Sequence, residues 1–154
     1  MVTVSLDTSV LIDLIRRRDA NVMARFSACV LSGGPIIVSA MAVHELETGL
    51  VGDGASERKS IQVATLLAQA RTVDFTVDDA RASGRVRGRL RLSGTPIGEI
   101  DTLIAGQALA RGWTVVTRNV KHFGRVEGLS LIDWSVGPDP LTDKAIASRV
   151  SQPE

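Results

Sequence analysis

The hydrophobic pattern opens with a short run, Met1-Val2-Thr3-Val4-Ser5-Leu6, which predicts a buried strand ending at Asp7. Beyond Thr8 and Ser9 the period changes. Leu11, Leu14 and Ile15 recur at helical spacing as far as Arg16-Arg17-Arg18, cations that suit a helix C-terminus. A second helix is predicted over residues 19–31, with Val22, Phe26, Cys29 and Val30 on its core side, and Gly33-Gly34-Pro35 stops it. Ile36-Ile37-Val38 is wholly β-branched, as strands buried on both faces tend to be. Ser39 then caps a helix to about Leu50 on the stripe Val43, Leu46 and Leu50. Gly52-Asp53-Gly54 breaks the pattern, and a fourth helix covers residues 56–69.

Thr72-Val73-Asp74-Phe75 reads as a third strand, and Thr76 with Asp79 forms a capping box for a helix to residue 92. Ala82, Val86 and Leu90 make its buried stripe, while Arg81, Arg85 and Arg89 share another face. The loop of residues 93–98 leads into a strong helix over 99–111, carrying Ile100, Leu103, Ile104 and Ala108, with Gly112 past its end. A strand at residues 113–117, the polar turn Arg118-Asn119 and a last strand at 129–132 follow. Trp113 and Trp134 read as packing anchors. From Pro138 the sequence turns polar and predicts a loosely held tail. Strands alternating with helices predict an α/β fold, one domain with a mostly parallel sheet between helices.

Composition narrows the function classes. The 154 residues suffice for one substantial core. Lys+Arg of 18 against Asp+Glu of 17 leaves +1, so a nucleic-acid partner has to be argued from where the charges lie. The lone Cys29 forms no internal disulfide and reads as a small core residue. No run approaches the roughly 18 apolar residues of a membrane span, and the N-terminus lacks a secretory pattern, so a cytoplasmic protein is expected.

The chemistry lies in the carboxylates. Asp7 ends the first strand, Glu45 interrupts an apolar helical stretch, Asp101 lies in the first turn of a helix, and Asn119 follows a strand as Asp7 does. Each has an ordinary reading: Asp7 as a helix cap, Asp101 as a dipole partner, Glu45 as an exposed edge residue. In a parallel α/β sheet, however, strand ends and helix starts share one edge, where ligands bind. Two carboxylates ~5 Å apart repel by about 3 kcal/mol at an effective dielectric of ~20. A cluster of three raises its pKa values or holds a cation, and an all-oxygen set predicts Mg²⁺ or Mn²⁺, suited to phosphate chemistry.

Other motifs fail. His44-Glu45-Leu46-Glu47-Thr48 has Thr where a zinc-protease helix needs its second His. Gly33-Gly34-Pro35 lacks the Lys-Ser/Thr of a phosphate loop, and Ser9 stands where an aspartyl phosphatase carries its second acid. The arginine face 81, 85, 89 reads either as a solvated helix surface or as a phosphate-contacting strip. With no Tyr and 3% aromatic residues, base-stacking platforms are scarce.

Several blocks together resemble one family. They are Val4-Ser5-Leu6-Asp7-Thr8-Ser9, Ser39-Ala40-Met41-Ala42-Val43-His44-Glu45-Leu46 and Thr95-Pro96-Ile97-Gly98-Glu99-Ile100-Asp101 with Leu103-Ile104-Ala105. Thr117-Arg118-Asn119-Val120-Lys121-His122-Phe123 and Asp133-Trp134 complete the order. The chain resembles the PIN-domain ribonucleases and, among them, the VapC-type toxins of type II toxin–antitoxin pairs. The resemblance implies a three-layer α/β/α sandwich over residues 1–137 and a Mg²⁺- or Mn²⁺-dependent endoribonuclease acting on structured RNA. It implies that Asp7, Glu45 and Asp101 hold the metal, and that Asn119, where many members carry aspartate, binds water on the metal or orients a ligand. Thr8, Ser9, Glu99, Thr117 and His122 are candidate supports, and Arg81, Arg85 and Arg89 candidate RNA contacts. A homodimer and a VapB-like antitoxin covering the acidic groove are implied as well. Because Asn119 removes a charge, a catalytically weak or inactive PIN-like binding module stands as the alternative.

Overall fold

A computed structural model describes residues 1–52, 54 and 56–154. The chain runs β1 (Val4–Leu6), α1 (Thr8–Arg16), α2 (Ala20–Leu31), β2 (Ile36–Ser39), α3 (Ala40–Gly52), α4 (Glu57–Leu67) and β3 (Arg71–Val73). It continues through α5 (Val77–Leu92), α6 (Glu99–Arg111), β4 (Thr114–Val116), α7 (Val120–Phe123), β5 (Leu131–Ile132) and α8 (Asp143–Val150). The break predicted at Gly52-Asp53-Gly54 falls partly outside the described residues, at Asp53.

The strands form one sheet in the order β3-β2-β1-β4-β5, every pair parallel. All residues of β1, β2 and β4 are buried. Since alternate side chains of a strand point to opposite faces, both faces are covered, which is the α/β/α sandwich. Successive strands step outward from β1 to β3, and the chain then returns to the other side of β1 to add β4 and β5. The order therefore reverses between β1 and β4, and the crevice outside their carboxyl ends is where such sheets bind ligands. Asp7 follows β1 and Thr117 follows β4, so both stand at this switch point.

The helices near the crevice are set by local signals. Asp7 caps α1 by accepting from Val10 N (3.0 Å), and Thr76 with Asp79 closes a full capping box on α5. α5 and α6 pack antiparallel at very close range: a Cβ on Gly106 would lie 2.3 Å from Ser83 Cα, so only glycine fits there. Ala82, Val86 and Leu90 are buried as the periodicity requires.

The C-terminal segment corrects the sequence expectation. Residues after Pro138 do not form a loose tail. Leu141 N donates to Leu131 O (2.8 Å) beside β5, Thr142 caps α8, and Arg149 pairs with buried Asp133 (3.1 Å). Ile146 and Val150, one turn apart, close over Gly124 at the end of α7. The few apolar residues of α8 are spaced to meet the core, and its polar majority faces solvent. Among the described residues no helix is long and apolar enough to cross a membrane.

Candidate active site

The crevice is built by four segments. The β1–α1 junction supplies Asp7, Thr8 and Ser9, and α3, which follows the neighbouring strand β2, supplies Glu45. The first turn of α6 supplies Asp101, and the segment after β4 supplies Thr117, Asn119 and His122. Of these, Asp7, Asp101 and Asn119, with Glu45 reaching in from its helix, are the residues that the sequence expectation set on one edge.

Asp7 is 2% exposed, and its carboxylate is fully engaged. Oδ1 accepts from Ser9 Oγ (2.7 Å) and Val10 N, and Oδ2 accepts from the wholly buried Thr117 hydroxyl (2.5 Å). Thr117 Oγ1 in turn accepts from Asn119 N (2.8 Å), so one hydroxyl fixes both Asp7 and the turn after β4. Burial pushes the Asp7 carboxyl up to about 6, the Thr117, Ser9 and Val10 donors pull it partly back, and the charge of Asp101 raises it further. Asp101 is also raised, by burial and then by the Glu45 carboxylate, against the lowering effects of His122 and Asn119. Glu45 accepts from the Thr8 hydroxyl (2.5 Å). The three acids thus repel one another through Asp101, with no lysine or arginine among the causes of either shift.

The Asn119 amide faces two acceptors, Asp101 Oδ2 (3.4 Å) and His122 Nδ1 (3.0 Å). The Asn119 amide thereby links the Asp101 carboxylate to the His122 ring. Asn119 therefore gives this corner a donor where an aspartate would add a fourth charge.

Donor chemistry fits a hard divalent cation: carboxylate oxygens, two of them on groups pushed upward in pKa, and no thiolate. The cluster is open. Among the described residues no three Asp, Glu, His or Cys side chains close on one ligation point, and each of Asp7 and Glu45 is held by a hydroxyl of its own.

Other candidates lie elsewhere. Glu99, in the same first turn of α6 as Asp101, pairs instead with Arg87 (2.9 Å) on the solvent face. Arg81 pairs with Asp78 (3.0 Å) near the start of α5. That end packs against Arg111, about 15 Å along α6 from Asp101, so the strip 81, 85, 89 leads away from the acids and only its Arg89 end approaches them. Sequence reasoning missed Arg118, which binds Asp13 (3.0 Å) and reaches Asp19 (3.8 Å), tying α1 to the turn that carries Asn119. Its only sequence signal was its place between Thr117 and Asn119.

Comparison with known proteins agrees with this geometry. The PIN domain family model matches residues 4–129. The tRNA(fMet)-specific endonuclease VapC of Shigella flexneri is 33% identical over 135 residues, 88% of this chain and 100% of that protein. Ribonuclease VapC2 of Haemophilus influenzae is 30% identical over 134 residues, 87% of this chain and 99% of that protein. Among solved structures, DNA-bound VapBC from Salmonella typhimurium superposes with a TM-score of 0.80 at 30% identity, covering 87% of this chain and 99% of that one. The chain belongs to the PIN-domain family and, within it, to the VapC ribonucleases.

Proposed function

We propose that this protein is the toxin endoribonuclease of a toxin–antitoxin pair, and that it hydrolyses phosphodiester bonds in structured RNA with Mg²⁺ or Mn²⁺. The observation that carries the reading is the meeting of Asp7, Glu45, Asp101 and Asn119 at the β1/β4 switch point. Asp7, Glu45 and Asp101 would hold the cation. When bound, it supplies Lewis-acid stabilisation of charge on the scissile phosphate and makes water a better nucleophile at neutral pH.

The chain's own contribution is positioning. Thr117 and Ser9 hold Asp7 in one orientation, and Thr8 does the same for Glu45. Asn119 orients Asp101 and His122 together. The relative from Shigella flexneri makes initiator tRNA the first substrate to try. The VapBC structures support a VapB-like antitoxin as partner. The family resemblance supports a homodimer, which sedimentation of the purified protein tests.

The test is to express wild type and Asp7→Ala and map new RNA 5′ ends. New ends should appear with wild type alone, and chelation of the purified enzyme should abolish cutting until Mg²⁺ or Mn²⁺ is restored. Asn119 favours a second reading, a PIN-like module that binds RNA without cutting it. Calorimetry separates the two: no binding of either ion at millimolar concentration, with or without RNA, supports the inert module.

A further inference from the structure

A groove of about 550 Å³ runs between α1, α3 and α4 and reaches the acids at Glu45. Its floor is aliphatic, with Ile12, Leu46 and Val63, and its rim carries Arg17 and Arg58. Two more cations line it, Arg16 and Lys59, each with interactions of its own. Four positive side chains around one groove stand out in a chain whose formal net charge is +1.

Arg17 adds an independent observation. It is the C-cap of α1, with φ 53° and ψ 40°, and among the described residues it is the only non-glycine with positive φ. Its N–H closes the helix on Asp13 O and Leu14 O, a position where glycine is the unstrained choice. Its side chain is exposed and, among the described residues, makes no ion pair or side-chain hydrogen bond, so the strain is not offset by a contact within the fold. The side chain that is kept there at the cost of backbone strain overhangs the groove.

We propose that this groove is the entry path of a single RNA strand, with Arg17 and Arg58 holding backbone phosphates so that the chain reaches the acids at Glu45. This rests on the endoribonuclease reading and adds to it a binding surface and the conformation of the RNA. Cations of this kind position the strand without reading its sequence. The aliphatic floor takes an unstacked base, which restricts the occupant to a loop or other single-stranded segment.

The test uses metal-free protein and a fluorescent oligouridylate, read by anisotropy across a salt series. Arg17→Gly and Arg58→Ala should each weaken binding several-fold, and each should lower the slope of log K against log salt by about 0.7. Arg17→Gly should melt at the same temperature as wild type or higher, because glycine suits the left-handed cap. Arg71→Ala, at the far edge of the sheet, removes one charge and should change neither affinity nor slope. In cleavage assays Arg17→Gly should act mainly on KM. Unchanged affinity and slope in both groove variants overturns the proposal. So does a loss confined to the grip of a co-expressed antitoxin, which would make the groove a protein surface. If wild type binds through Arg17 and Arg58 but cuts no RNA under any metal, the groove stands and the nuclease reading falls.

Discussion

Two aspartates in this molecule are almost equally buried and have opposite electrostatics. Asp7 is 2% exposed and Asp79 is 1% exposed. Asp79 accepts from Arg111 Nε (3.0 Å) and Nη2 (2.8 Å), from Gln107 Nε2 (2.9 Å) and from Thr76 N (2.9 Å). Burial alone would raise its carboxyl, but the guanidinium and these donors outweigh it and hold the group far below the usual carboxylate range. Asp7 has three donors to those four, all of them neutral, and its nearest charge effect is another acid. The difference is one guanidinium. Where a carboxylate serves the fold, the fold provides a cation of its own. At the crevice it provides hydroxyls and more carboxylates, which supports the proposal that the positive charge there comes from a bound cation.

Converting Asp7 to a neutral isostere breaks the comparison most sharply. Asp7→Asn should lose RNA cleavage by several kcal/mol of barrier, on the order of 10³-fold or more. The same variant should melt higher than wild type in metal-free buffer at pH 8, because it removes a buried charge that has no protein counter-ion. Thermal denaturation and a cleavage assay on one preparation check both. Retained cleavage would remove Asp7 from the chemistry.

At the other aspartate the same logic predicts the opposite outcome. Arg111→Ala leaves Asp79 buried without a counter-charge and should destabilise the fold by about 3–5 kcal/mol, toward the lower end because Arg111 is itself partly exposed. Adding Asp79→Asn to that variant should recover part of the loss in urea denaturation. If Arg111→Ala unfolds no earlier than wild type, the pair is not what holds α5 to α6.

The two groups also titrate in different windows. The raised Asp7 carboxyl binds its proton more tightly in the native protein, so its contribution to stability is greatest at acid pH. That contribution is lost as pH rises from 3.8 to about 6, a difference of about 3 kcal/mol in metal-free protein. The lowered Asp79 carboxyl contributes stability in full above the ordinary carboxylate range, and this falls away as pH drops below about 4. Chemical denaturation across pH should therefore lose its decline between pH 4 and 6 in Asp7→Asn. The acid-side decline should weaken in Asp79→Asn.

How far the sequence discloses these two sites differs for a physical reason. Asp7 announces itself because strand and helix patterns meet there, and Glu45 and Asp101 because they interrupt apolar or helix-start positions on the same predicted edge. Asp79 is visible only as the capping partner of Thr76. Its pairing with Arg111, 32 residues later, leaves no local trace. The link from Arg118 to Asp13 is hidden in the same way, as a contact between segments 105 residues apart. α7 has four residues and no side-chain cap, so neither period nor capping signals it. α8 did carry a readable start at Thr142, but its polar composition masked two core-facing positions, Ile146 and Val150. Strand order was not legible at all, since it is fixed by crossovers and not by any one strand's residues.

Thr117 gives the finest adjustment of the comparison, because it carries no charge and does for Asp7 only part of what Arg111 does for Asp79. Thr117→Val keeps the volume of a fully buried side chain but takes the donor from Asp7 Oδ2 and the acceptor from Asn119 N. On the proposal that Asp7 holds the cation, losing the residue that orients it should cost about 10–100-fold in activity, less than losing Asp7 itself. The Asp7 carboxyl should rise above its present value of about 6, since one of the contacts that lowers it is gone. Thr117→Ser, which restores the hydroxyl, should recover most of the activity and return the carboxyl toward its wild-type pKa. If Val and Ser variants behave alike, packing under β4 explains Thr117 and the hydroxyl does not. If they differ as expected, the acidic site is tuned by a neutral hydrogen bond where the structural site is held by a full charge.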